Sequence, residues 1–320
     1  MRLLAVSLSV LSSLLVSSLV LAEPTGFGVA RPTKGCKLGT EQTQKLQVGM
    51  VVTAQGGPCQ GIVGTCCVPI DWPEQEVKIL EEDCSPSVKS VTYRNLPAAK
   101  QMVVNMPYIP ANQDCRAVLT YEIRRYALLV PEDTSIFVMP NTKKLKSDTR
   151  IYLGPSPMIE INNPRIKALV KEAIAGKETA WAKVEAIFDA VRNKVEQRQG
   201  GPFKSAAIAL KDGYGATEDI CSLFIAACRE ADVPARMVWV VGHLYTEFYL
   251  EDGEGQGYWF PAQPAGNREF GSISEMRPIL HKGDSFQTPE KPREKQRFLS
   301  EYLTGAGGKP SCRFIREMVN

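Results

Sequence analysis

The chain has 320 residues, with 38 Lys plus Arg against 35 Asp plus Glu and a hydrophobic share of 44%. That length suits a globular protein of two modest domains, and the near-balanced charge argues against nucleic acid or an anionic membrane surface as the main partner. No long low-complexity tract and no internal repeat interrupts it.

Residues 1–22, MRLLAVSLSVLSSLLVSSLVLA, read as a secretory signal peptide with cleavage expected after Ala22. The mature chain is then exported to the periplasm, the cell envelope or the medium. It keeps no stable membrane span, because no second apolar run is long enough. Glu23 to about Lys45 is rich in Gly, Pro and Thr and reads as a loose arm.

From Leu46 to about Pro140 the pattern is β. VGMVVTA, GIVGTCCVPI, EVKILEE, SVTYR, QMVVNMPYI, AVLTYEIRRYALLV and SIFVMP are rich in β-branched residues and divided by turns such as QGG, SPS and PANQD. Such runs predict an antiparallel β-sandwich of immunoglobulin-like type over residues 23–150. Six cysteines fall here: Cys36, Cys59, Cys66, Cys67, Cys84 and Cys115. In an exported chain some of them are expected to be oxidised, in a pairing that spacing leaves open. A zinc site is the weaker alternative, since this half has no C-x-x-C and no histidine.

A Pro-rich link, YLGPSPMIEINNP, opens the second unit, residues 151–320. RIKALVKEAIAG is amphipathic. ETAWAKVEAIFDAVRNKVEQRQ puts Trp181, Val184, Phe188, Val191 and Val195 on one helical face. SAAIALKDG adds a further turn or two. Three strand-like runs follow another helix, so helices packed on an antiparallel sheet, an α+β arrangement, are expected.

The chemistry concentrates between Gly213 and Gln263. Thr217, Glu218 and Asp219 supply N-cap and first-turn residue types, and Leu223, Phe224, Ala227 and Cys228 recur at helical spacing. Cys221 is therefore placed in the first turn or so of a buried helix, where free N–H groups and the dipole favour a thiolate. His243 follows the apolar run MVWVVG, with Tyr245 and Glu247 on its face of the next strand. Glu247 lies about 13 Å further along that strand, too far to orient the imidazole. Gln263 ends GYWFPAQ, where its amide oxygen could accept from the ring N–H. Cys221, His243 and Gln263 are thus the predicted nucleophile, base and orienting residue. Tyr245, Trp239 and Trp259 are expected to be wall or core.

These residues resemble the transglutaminase-like superfamily, with its papain-related thiol fold, from about Trp181 to about Gly271. The correspondence runs through WAKVEAIFDAVRNKV, Cys221, Arg229, VPAR ending at Arg236, HLYTEFYL and WFPAQP; the layout is similar to secreted bacterial members of planctomycete type. Asp219 stands where many members have glycine, Tyr245 where they have tryptophan, and Gln263 where they have aspartate. The resemblance implies a Cys221 thioester on protein or peptide amides, with hydrolysis favoured over crosslinking. No cofactor or metal is expected, and a calcium requirement is not implied, because no acidic loop of the right kind appears. Loss of the carboxylate at Gln263 motivates the alternative, a degenerate domain used as a protein-binding module. A third possibility is a structural envelope protein. Oligomeric state stays open.

Beyond Gln263, Arg268 and Glu269 are expected near the site. HKGDSFQTPEKPREKQ, with a solvent-facing His281, is expected on the surface. RFLSEYL reads as a short helix and SCRFIREMV as an edge strand.

Overall fold

The computed structural model describes residues 34–319. The signal-peptide expectation for residues 1–22 lies outside the described residues.

The N-terminal unit is built on one antiparallel sheet. β1 (Lys37–Val68), β2 (Gln75–Cys84), β3 (Ser90–Leu96), β4 (Ala99–Ile109) and β5 (Asp114–Leu129) lie in the order β2-β5-β1-β4-β3. Leu46, Val48, Met50, Val52 and Ala54 are all buried, the period-two pattern of a strand with one face on a core. VGMVVTA and GIVGTCCVPI, expected as separate strands, are two parts of β1. Between them Gly56 takes φ 72°, which bends the strand without ending it. The first part pairs with β5 and the second with β4. The sheet folds over itself there: a Cβ on Gly64 would sit 2.2 Å from Sδ of Met50.

Four longer helices follow: α1 (Pro164–Ala173), α2 (Ala180–Lys194), α3 (Ala206–Asp212) and α4 (Thr217–Glu230). Asn163 Oδ1 accepts from the Arg165 N–H and Thr179 Oγ1 from the Ala182 N–H, capping α1 and α2. Trp181, Val184, Phe188 and Val191 form the buried face of α2, as their spacing predicts. α4 is buried continuously from Asp219 to Arg229. Its sheet comprises β6 (Ala235–Val240), β7 (His243–Asp252), β8 (Gly257–Gln263), β9 (Glu269–Phe270) and β10 (Ile279–Lys282), in the order β9-β8-β7-β6-β10. SIFVMP shrinks to Phe137–Val138, which pairs with the end of β7.

The C-terminal region departs most from expectation. His281 is fully buried, not solvent-facing, with its ring centroid 4.8 Å from that of Phe286 and 4.9 Å from that of Phe298. Lys282 and Asp284, read as surface residues, are buried too. Lys282 Nζ donates to Glu74 and to Glu247, 2.6 Å from each, so a cation from the second unit is neutralised partly by the first. RFLSEYL forms no helix. It leads into β11 (Tyr302–Val319), which pairs antiparallel with β1 from Lys45 to Thr65. The last strand among the described residues thus lies in the same sheet as the first. All nine cysteines are unpaired.

Candidate functional site

Asp219 sets the start of α4. Its Oδ2 accepts from the Ala216 N–H at 2.9 Å and its Oδ1 from the Lys204 N–H at 2.9 Å. A carboxylate in the first turn that reaches back to the cap backbone fixes where the helix begins. Thr217 is therefore the first helical residue, and Cys221 lies a full turn inside.

That turn removes Cys221 from the predicted site. It has no exposed surface and belongs to the core cluster with Leu223, Phe224 and Phe188. Burial, partly offset by the charge of Arg297, pushes its thiol well above the ordinary range. A buried thiol of this kind is a small hydrophobe rather than a nucleophile. The acidic residue three positions after Ala216 was the sequence signal for Thr217.

Thr217 and His243 are brought together. Both line two adjoining cavities, one of about 350 Å³ and one of about 470 Å³. The first is polar, with Gln263, Asn267, Glu269 and Arg277 among its walls. The second is largely aromatic and aliphatic, with Phe203, Trp239, Leu244 and Phe298. Thr217 Oγ1 accepts from Gln197 Nε2 at 3.0 Å.

Gln263 does reach the histidine, but with the opposite polarity to that expected. Its Nε2 lies 2.9 Å from the Ala265 carbonyl and 3.3 Å from His243 Nε2. A carbonyl only accepts, so the atom facing Ala265 is the amide nitrogen, and it donates to the ring as well. His243 Nε2 is then an acceptor, and the neutral ring carries its proton on Nδ1. Burial first, then the charge of Arg277, lowers the His243 pKa, with Glu275 opposing. Gln263 Oε1 is buried without a donor.

The walls are held from outside. Arg192 of α2 donates to the carbonyls of Pro264 and Gly266, 3.0 Å each. Fully buried Arg125 of β5 donates to the carbonyls of Glu275 at 3.0 Å and Arg277 at 3.2 Å. Gln75 accepts from the Ile279 N–H at 2.6 Å and donates to its carbonyl at 2.9 Å. The N-terminal sheet thereby shapes one side of the cleft. Glu269 lines the polar cavity, whereas Arg268 turns outward to pair with Glu185 and Asp189. Glu247 belongs to the buried network with Arg236 and Lys282. Among the described residues no group of three or more His, Cys, Asp or Glu side chains could hold a metal ion.

A helix opening beneath a histidine-bearing antiparallel sheet is the geometry expected from the resemblance, and residues 167–264 match the transglutaminase-like superfamily. Those residues are similar to the core of that superfamily. A solved structure of a candidate cysteine protease from Cytophaga hutchinsonii is similar to this chain, with a TM-score of 0.56 and 15% identity over 88% of this chain and 92% of that one. A candidate protease from Parabacteroides distasonis ATCC 8503 gives a TM-score of 0.29 and 15% identity, covering 72% of this chain and 48% of that one. A TGase gives 0.26 and 10%, covering 66% and 55%. No curated protein matches the chain. The core has the fold of a thiol-enzyme family. Its cleft presents the hydroxyl of Thr217 where helix and histidine meet.

Proposed function

We propose that the transglutaminase-like core binds a protein or peptide segment in the Thr217–His243 cleft without forming a thioester. The observation that carries this is the burial of Cys221 a turn below Thr217. A threonine hydroxyl needs a base to attack a carbonyl. The Nε2 lone pair of His243 is already engaged by Gln263.

The thiol reading is cysteine-dependent hydrolysis of peptide amides through Cys221, with His243 as base. Its support is the fold and the position of Cys221 on the same helical face as Thr217. Iodoacetamide labelling of the native chain, read peptide by peptide, separates the two. Exposed Cys84 should label and Cys221 should not. Labelling of Cys221 below about pH 8, lost in His243→Ala, would restore the enzyme reading.

Export is proposed on the leader-like residues 1–22 alone, and cell fractionation with N-terminal sequencing of the mature chain tests it.

A further inference from the structure

We propose that the cleft selects an extended polypeptide segment bearing a Phe, Tyr or Trp side chain, with Phe203, Trp239 and Phe298 as the specificity lobe. This deepens the polypeptide-binding reading and rests on it.

The two cavities share Thr217 and His243, so one groove runs past both residues. A strand of polypeptide laid along it meets a polar lobe on one side and an aromatic lobe on the other. The aromatic lobe has rigid walls. Trp239 Nε1 donates to the Gly283 carbonyl at 2.9 Å, and its ring meets that of Phe298 edge-on at 5.0 Å. Such edge-to-face geometry suits a third ring.

Phe203 stands at the mouth and is 63% exposed. Its strap is pinned at both ends: the Arg198 N–H donates to the Gly215 carbonyl at 2.8 Å, and the Lys204 N–H to Asp219 Oδ1 at 2.9 Å. Between the pins Gly200 and Gly201 have φ 86° and 88°. A large apolar side chain is therefore held in water beside a lobe of about 470 Å³, within the size range of ligand pockets. A ligand ring entering the lobe would cover it.

The polar lobe argues for a polypeptide rather than a bare aromatic. Asn267, Glu269 and Arg277 line it, beside the His243 and Thr217 that it shares with the aromatic lobe. A peptide backbone carries carbonyls and N–H groups on either side of a residue, and such side chains can meet them while the aromatic lobe takes the ring. A hydrocarbon ring alone leaves the polar lobe unused.

The test is calorimetric titration of the full chain with acetyl-Gly-Gly-Phe-Gly-Gly-amide and with its central-Ala counterpart, repeated on Phe203→Ser and Thr217→Arg. The Phe peptide should bind at least about tenfold tighter than the Ala peptide, from burial of the ring. That preference should shrink several-fold in Phe203→Ser, an exposed change that leaves the core intact. Thr217→Arg, which fills the shared wall, should abolish both. Equal binding of the two peptides, lost in Thr217→Arg, would overturn the aromatic lobe and leave polypeptide binding standing. Binding of neither would sink both readings. Toluene binding as tightly as the Phe peptide would make the lobe a site for small aromatics and overturn the proposal.

Discussion

Thr217 and Cys221 lie one turn apart on the same face of α4, and of the two only Thr217 lines the cleft with His243. Thr217→Cys should therefore create what the natural chain lacks, a thiol at a helix start beside an imidazole. Its iodoacetamide labelling at pH 7 should outpace that of exposed Cys84, and adding Gln263→Asp should speed it further by stabilising imidazolium. Peptide-resolved mass spectrometry gives the rates. A cysteine at 217 that labels no faster than Cys84 would contradict its placement in the cleft.

Gln263→Asp should also move the titration of His243. The natural residue donates to the ring, and burial holds the pKa below 6.5. A carboxylate in its place favours the charged ring and should raise the pKa by about one unit or more. Proton NMR of the imidazole reads this directly, and an unchanged midpoint would argue against the contact.

His281 should make the fold acid-sensitive. Burial, then the charge of Arg316, takes its pKa from 6.5 to about 3. The folded chain thus binds fewer protons than the unfolded chain between these values. This stability is present above pH 6.5 and falls with pH toward 3, by up to about 1.4 kcal/mol per unit. His281→Leu should flatten that slope in denaturant titrations run between pH 7 and pH 4.

The ion pair between Arg229 and Asp284 ties α4 to the segment after β10, and both side chains are buried, 0% and 1% exposed. Arg229 also donates to the Ala235 carbonyl at 2.7 Å. Asp284→Ala should destabilise the chain by about 3–5 kcal/mol, because it strands a buried cation. Arg229→Met combined with Asp284→Leu should recover much of that loss in thermal melts. Full additivity of the two changes would show that the groups act independently.

Gly64 faces Met50 across the folded sheet. Gly64→Ala should cost about 1–3 kcal/mol through overpacking. Met50→Ala in the same chain should relieve part of it, which chemical denaturation of the single and double variants measures.

The sequence by itself determined the local elements. Runs of β-branched residues divided by turns marked β4, β5 and both parts of β1. Helical spacing marked the buried face of α2. The neighbourhood of His243 and Gln263 was legible too, because His243 opens β7 and Gln263 closes β8, and the two strands pair antiparallel. Tertiary structure alone decided the rest. Whether Gly56 bends a strand or ends it depends on β11, contributed by residues about 250 positions later. His281 sits in a polar run, and only its packing among Phe286, Phe298 and Trp239 buries it. The Gln263 amide could face the ring with either atom until the Ala265 carbonyl claimed its nitrogen. A cysteine in the first or the second turn of an apolar helix has nearly the same local pattern. The Asp219 contacts with Ala216 and Lys204 put the helix start at Thr217, so the hydroxyl faces the cleft and the thiol faces the core.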